Sequence, residues 1–404
     1  MLRLAIEVIL ALLIVCGIAF CLLALWIAQL FKRESPQQFS VATLPPVSVL
    51  KPLHGADAET YAALRSHCVQ EYESYQLIFG VNDANDDAVP VVRELAAEFP
   101  TRDIQLVVCP DALGSNRKVS NLIHLLRQAK YQHILVNDAD IRVGRRYLRE
   151  VMWLFKDSEI GMVTCLYKGK PAGTIGSKLE SLGIATDFIP GVLISSFMEG
   201  GLRFALGSTM AMVRTALEKI GGFESVVDYL ADDYQLGARV ADAGFKVSLA
   251  HETVETAIPP YSFAEFWQHQ LRWARTMRVS RPRGYGGLVL TFALPWALLL
   301  VACAPHSLWS WALLAMALLA RVAVALRIGL AVLGAHQIAR DLWLLPLRDL
   351  LGTAIWFWSY AGDTVSWRGT KFRLKDGRIC PVSNDDTKGF ACPNPEARPE
   401  THRR

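Results

Sequence analysis

The stretch LAIEVILALLIVCGIAFCLLALWIAQLF, residues 4–31, carries one charge, Glu7, and constrains where everything else can fold. It exceeds the roughly 20 residues needed to cross a bilayer. Lys32 and Arg33 follow it and no small-residue cleavage site does, so 1–33 reads as a retained anchor. A second apolar block begins after RVSRPRGYGG, with 288–304 and 308–334 each reading as a span. The latter holds Arg321 and Arg327, charges tolerated at that depth only if protein buries them or they reach an end. Residues 342–361 are interrupted by Pro346, Arg348 and Asp349 and fit a tilted span, a re-entrant segment or a surface helix. We therefore expect a membrane region over 285–361 and a basic, partly disordered tail over 362–404, on a side the sequence leaves open. Hydrophobic residues at 52% and charged residues at 20% are too apolar a mixture for a purely soluble enzyme.

Lys32 and Arg33 precede the middle of the chain, and Arg275, Arg278, Arg281 and Arg283 end it. By the positive-inside rule the domain 34–284 faces the cytoplasm. The membrane would be a bacterial inner one, or that of the Golgi or ER in a eukaryote. The net charge of +4 is concentrated at the membrane edges, which suits anionic head groups and not nucleic acid. Eight scattered cysteines without a C-x-x-C suggest reduced thiols, with neither a disulfide framework nor a zinc site.

From residue 47 the pattern alternates: VSVLK, YQLIFGV, IQLVVC and HILVN read as strands, separated by helical AETYAALRSHCVQE, VPVVRELAAEF and KVSNLIHLLRQAK. Such alternation predicts an α/β fold with a mostly parallel, Rossmann-like sheet. Ligands in these sheets bind beyond the carboxyl ends of the strands, where this chain places NDANDD, PDALGSNRK and DADIRVG. Asp138 and Asp140, one residue apart at a strand end, would repel each other unless water or a divalent cation lies between them. There is neither a G-x-G-x-x-G nor a P-loop motif. In the second half, LADDYQLG opens a helix with two acids. One is explained by the helix dipole, and two together suggest a task. Residues 180–198 are semi-apolar and fit either a surface-lying or a core helix. An amphipathic helix over 262–280 carries a stripe of Phe263, Phe266, Trp267, Leu271, Ala274 and Met277, with Gln268 and Arg272 off it.

Four motifs in order, VNDAND with Asp83, NDAD with Asp138 and Asp140, LADDYQLG with Asp233, and QHQLRW with Gln268, Arg272 and Trp273, lie between one N-terminal and several C-terminal apolar segments. In this the chain resembles membrane-bound inverting glycosyltransferases of the GT-A type, specifically the ceramide glucosyltransferase branch. The resemblance runs over about 40–375. PVSVLKPLHG and KVSNLI also look like that branch, and a bacterial group adding N-acetylglucosamine to a hopanoid is at least as similar.

The resemblance implies a GT-A domain inserted between transmembrane helices and one sugar moved from a UDP-sugar to a lipid hydroxyl. Asp83 would lie against the uracil. Lys118 would reach the diphosphate, with a plain surface lysine as the alternative. Asp138 and Asp140 would hold Mg²⁺ or Mn²⁺ across the diphosphate of UDP-glucose or UDP-N-acetylglucosamine. Asp233 would be the general base, giving a β-glycoside, and Asp232 a cap or supporting group. Gln268, Arg272 and Trp273 would close over the donor and the ceramide or hopanoid head group. His251 is a further candidate ligand. A processive polysaccharide synthase of the same fold usually has two spans before the domain, and a non-catalytic relative would have lost some of these acids.

Overall fold

The computed structural model describes residues 1–33, 44–367 and 369–381. The expected alternation forms. β1 (Val47–Pro52) and β2 (Tyr75–Val81) are buried at every position, as strands covered on both faces must be. β3 is Asp103–Val108, β4 His133–Val136, β5 Ile141–Arg142, β6 Ile160–Pro171, β7 Met210–Val213 and β8 Lys246–Ile258. They form one eight-stranded sheet in the order β3-β2-β1-β4-β7-β6-β8-β5. β3, β2, β1 and β4 are mutually parallel, as are β6 and β8, while β7 and β5 run antiparallel to their neighbours. Because β2, β1 and β4 are parallel neighbours, the residues that follow them share one rim. Asp83 and Asp138 are therefore on the same edge of the sheet.

Among the described residues three helices are long and apolar enough to cross a membrane: Leu2–Lys32, Ile175–Met198 and Leu308–Val332. Pro282–Thr291 and Ala293–Cys303, bent by 49° to each other, add a fourth if counted as one span. The anchor crosses Ala293–Cys303 closely: a Cβ on Gly17 would stand 2.7 Å from the Ala293 backbone nitrogen, so only glycine fits. Ile175–Met198 is mostly buried, with Leu179, Leu182, Ile184, Ile189 and Leu193 all inside, and has a π-helical turn at Ile184–Phe188. That turn presents Asp187 to two arginines from the apolar block, Arg321 at 2.7 Å and Arg348 at 3.1 Å. Arg321 also pairs with Asp349 at 2.5 Å and donates to the Thr186 carbonyl at 2.7 Å. The charge at Arg321, expected to need protein around it or an end to reach, is buried against protein.

The helix Leu345–Ser359 is tied at both flanks to the part of the chain that precedes the apolar block. Gln337 Nε2 donates to the Gly169 carbonyl at 2.8 Å before it, and Arg278 Nη2 donates to the Gly362 carbonyl at 2.9 Å after it. Part of the expected tail is folded: β9 (Thr364–Trp367), β10 (Thr370–Lys375) and β11 (Arg378–Pro381) make an antiparallel sheet. Its Val365, Phe372, Leu374 and Ile379 bury Leu230 of the catalytic domain, and the Ile379 N–H donates to the Asp228 carbonyl at 2.8 Å. The expected disorder falls on residues 382–404, outside the described residues. Cys16, Cys21, Cys68, Cys109, Cys165 and Cys303 are free thiols as expected; Cys380 departs from that expectation and is disulfide-bonded.

Removing one partner of a buried ion pair leaves the other charge uncompensated. Arg321→Met should lower unfolding stability in detergent by about 3 kcal/mol, and the double variant Arg321→Met/Asp349→Leu should recover part of the loss. Equal melting of the single and double variants would show that the pair is not coupled.

Candidate active site

The turn after β4 is built before any acid is placed on it. Asn137 is fully buried, and its Nδ2 donates to the Tyr147 hydroxyl at 2.9 Å and the Ser208 carbonyl at 2.6 Å. Lys51, at the end of β1, is also fully buried and donates to the Asp138 carbonyl at 3.0 Å. Burial pulls its pKa down to about 7, against the opposing pull of Asp140 and Asp138. Two residues on, Asp140 Oδ2 accepts from the Thr256 hydroxyl on β8. Burial, then the Asp138 charge, raises the Asp140 pKa.

Lys118 enters from the helix Arg117–Leu126, whose first turn is capped by Asn116 accepting from the Val119 N–H at 3.2 Å. Its ammonium bridges Asp138 Oδ1 at 2.8 Å and Asp232 Oδ2 at 2.9 Å. Burial alone would discharge this lysine, but the fields of Asp138, Asp232 and Asp233 override it and raise its pKa. Asp232 is not a cap: Ala231 holds that position, and Asp232 pairs with Lys118.

Asp233, next in the same first turn, has both oxygens held by backbone. Oδ2 accepts from the Gly207 N–H at 2.9 Å and Oδ1 from the Tyr234 N–H at 2.7 Å. Its pKa is raised to about 6 by burial and then by Asp232, with Lys118 opposing. Gly207 separates the two key acids. A Cβ there would lie 2.9 Å from Asp138 Oδ2 and 3.3 Å from Asp233 Oδ2, so both carboxylates face the same small residue.

The second half of the site comes from the helix Phe263–Ser280, started by a full capping box of Ser262 and Glu265. Phe266 and Ala274 of the expected stripe are buried, while Phe263 and Met277 at its ends are exposed. Trp273 lies 6.3 Å from Phe188, which lies 5.6 Å from Tyr167. The Tyr167 hydroxyl is held protonated by burial and then by the charges of Glu180, Asp233, Asp138 and Asp140, which places that ring beside the acid cluster. Arg272 and Asp140 both act on the Tyr261 hydroxyl, with opposite signs. The structure therefore brings together Lys118, Asp138 and Asp233, with Asp140 two residues along the same turn; Trp273 is linked through Phe188 to Tyr167, and Arg272 precedes it on the same helix.

Asp83 shares the rim but stands apart, exposed, with β1 between its strand and that of Asp138; its Oδ1 accepts from the Asn85 N–H at 2.9 Å. Gln268 is exposed on the helix, and its neighbour His269 is the residue that packs inward. His251 stacks on Phe31 of the anchor at 4.4 Å, five residues or roughly 16 Å along β8 from Thr256, so it does not join the cluster. Sequence reasoning passed over Lys51, Gly207 and Thr256. Only Lys51 left a signal, as the one cation at the end of an otherwise apolar strand.

A family model described as glycosyl transferase family 21 matches residues 9–380. The chain belongs to glycosyl transferase family 21. Ceramide glucosyltransferase 1 of Caenorhabditis elegans is 26% identical over 234 residues, covering 58% of this chain and 50% of the relative. Ceramide glucosyltransferase of Candida albicans is 30% identical over 129 residues, covering 29% of this chain and 24% of the relative. The chain spans about half the length of the first of these curated relatives. A solved mannosyltransferase from Pyrobaculum calidifontis, in complex with GDP-mannose and Mn²⁺, shares the fold over 87% of this chain and 99% of its own, with a TM-score of 0.52 at 19% identity.

Gly207→Ala would push Asp138 and Asp233 apart without touching the core of the sheet. Sugar transfer by the family 21 chain should fall about 100-fold, the loss that a displacement near 1 Å brings, with an unchanged melting temperature. Full activity in this variant would mean that the spacing of the two acids is not critical.

Proposed function

We propose that the protein transfers one sugar from a nucleotide-sugar donor to a hydroxyl of a membrane lipid, inverting the anomeric centre, at the cytoplasmic surface of the bilayer. The observation that carries this reading is Asp233: a half-buried carboxylate with a raised pKa, aimed by two backbone N–H groups, beside Asp138 on the ligand rim. Asp233 takes the proton of the lipid hydroxyl. That oxygen bonds to the anomeric carbon as the bond to the diphosphate breaks, and the nucleotide leaves with the electron pair. Lys118 and Arg272 present cationic donors to the diphosphate, Trp273 and Gln268 lie on the helix beside the acceptor, and Asp83 takes the base.

Asp138 and Asp140 offer hard oxygens suited to Mg²⁺ or Mn²⁺. Among the described residues no three His, Cys, Asp or Glu side chains gather as a metal site, so the remaining ligands would be phosphate and water. A cation held by Asp138 and Asp140 would supply charge neutralisation for the leaving diphosphate.

The names of the ceramide glucosyltransferase relatives support ceramide as the acceptor and glucose as the sugar, with UDP-glucose the donor to assay first; a hopanoid polyol with UDP-N-acetylglucosamine is the second pair to assay. We read 1–33 as the anchor, 34–284 as the catalytic domain, 285–361 as the membrane region and 362–404 as the tail. The contacts at both flanks of Leu345–Ser359 support a helix that does not cross, with the tail on the catalytic side.

Two variants test the reading in detergent-solubilised protein with Mg²⁺ or Mn²⁺. Asp233→Asn should lose about 10²- to 10⁴-fold in turnover and keep its UDP affinity. Asp138→Ala should instead weaken metal-dependent UDP binding. In the wild type the base must be ionised, so turnover should fall about tenfold per pH unit below about 6 and level off above it. A polymeric product would move the protein to the processive synthases. Near-normal turnover by Asp233→Asn would end the general-base assignment.

A further inference from the structure

Glu180 is a carboxylate to which the chemistry above gives no role. It lies on the segment Ile175–Gly183, is 5% exposed, and its Oε2 stands 3.0 Å from Nδ1 of His269 on the Phe263–Ser280 helix. A carboxylate can only accept, so Nδ1 carries a proton in this pair and Nε2 is the ring nitrogen left for another partner. Tyr261, at 5.3 Å between ring centroids, and Trp273, at 5.1 Å, hold the imidazole in place. Among the described residues no protein group bonds Nε2, and that atom is not sealed in the core. Ser181, next to Glu180, donates to the Gly169 carbonyl at 2.9 Å, and Gly169 pairs across the sheet with Thr256, whose hydroxyl bonds Asp140, so the imidazole's anchor lies beside the strand that holds the acid cluster. A mere staple between two helices gains little from a buried charged group, since an apolar pair of the same volume serves as well or better.

We propose that His269, fixed in one tautomer by Glu180, reads the acceptor lipid: Nε2 accepts a hydrogen bond from a second donor next to the hydroxyl that Asp233 deprotonates. That donor is a hydroxyl or an amide N–H of the head group. His269 is a specificity and positioning residue, because it does not touch the reacting atoms. The inference rests on the lipid-transfer reading and goes beyond it by naming what selects the acceptor. A site built to accept from a substrate donor discriminates strongly against lipids that lack it, because its own polar group is then left unpaired.

The test uses the full chain in detergent with three acceptors: ceramide, 3-deoxyceramide, which lacks the neighbouring hydroxyl, and N-methylceramide, which lacks the amide N–H. His269→Phe keeps a ring between Tyr261 and Trp273 and removes Nε2. It should raise the KM for ceramide about tenfold, with kcat and UDP affinity within twofold of wild type. The penalty should vanish on the one analogue that lacks the donor His269 reads, which tells the hydroxyl from the N–H. Glu180→Leu should show the same pattern more weakly, because the tautomer is no longer fixed. An equal loss on all three acceptors, or no loss on any, would overturn the assignment. A wild-type protein that glycosylates no lipid would instead overturn the lipid-transfer reading, and this inference with it.

Discussion

Lys118 is the cation that lets the acids of this site stand together. Asp138 comes from the end of a strand and Asp232 from the start of a helix, and the one ammonium touches both. Two like charges 4 Å apart repel by about 4 kcal/mol at an effective dielectric near 20. Four carboxylates could not be gathered there without an opposing charge between the two halves. The lysine sets their separation, and Gly207 keeps the space between them free of side chain. The raised pKa of Asp233 is a residue of that balance: burial and Asp232 push it up further than Lys118 pulls it down.

A second balance ties this chemistry to the membrane. The apolar block carries the buried Arg321 and Arg348, and Asp187 and Asp349 receive them. Asp187 lies on a π turn, and the next residue, Phe188, leans between Tyr167 and Trp273. Extra helical residues of this kind commonly mark a spot where a helix has been re-aimed for function. Here the turn lets one helix satisfy the membrane's arginines on one side and line the active site on the other.

Much of this was legible in the sequence. The alternating runs gave β1, β2 and β3 to within a residue or so, because fully buried β1 and β2 leave nearly unbroken apolar signals and the half-buried edge strand β3 keeps the same apolar run. Asp138, Asp140 and Asp233 were visible as acids in places where acids are costly. Residues whose role comes from three-dimensional neighbours were not visible. Gly207 looks like any loop glycine until two carboxylates close on it. His269 sits inside a motif whose other positions drew attention, and Glu180 lies in a segment too mixed to distinguish surface from core. The side of the tail could not be read because apolar character does not distinguish a helix that crosses from one that returns. The contacts around Gly169 and Gly362 bear on that question, and they are long-range.

The small sheet β9–β11 has a consequence in time as well as in space. It buries Leu230, two residues before the helix that carries Asp232 and Asp233, and it bonds the Asp228 carbonyl through a residue close to the end of the described chain. A ribosome makes Asp233 early and Ile379 late. The loop that aims the acid therefore gains its last support only after the long apolar helices have been synthesised. Order in synthesis becomes order in assembly: the turn before Asp232 and Asp233 is completed only once the long apolar helices have left the ribosome.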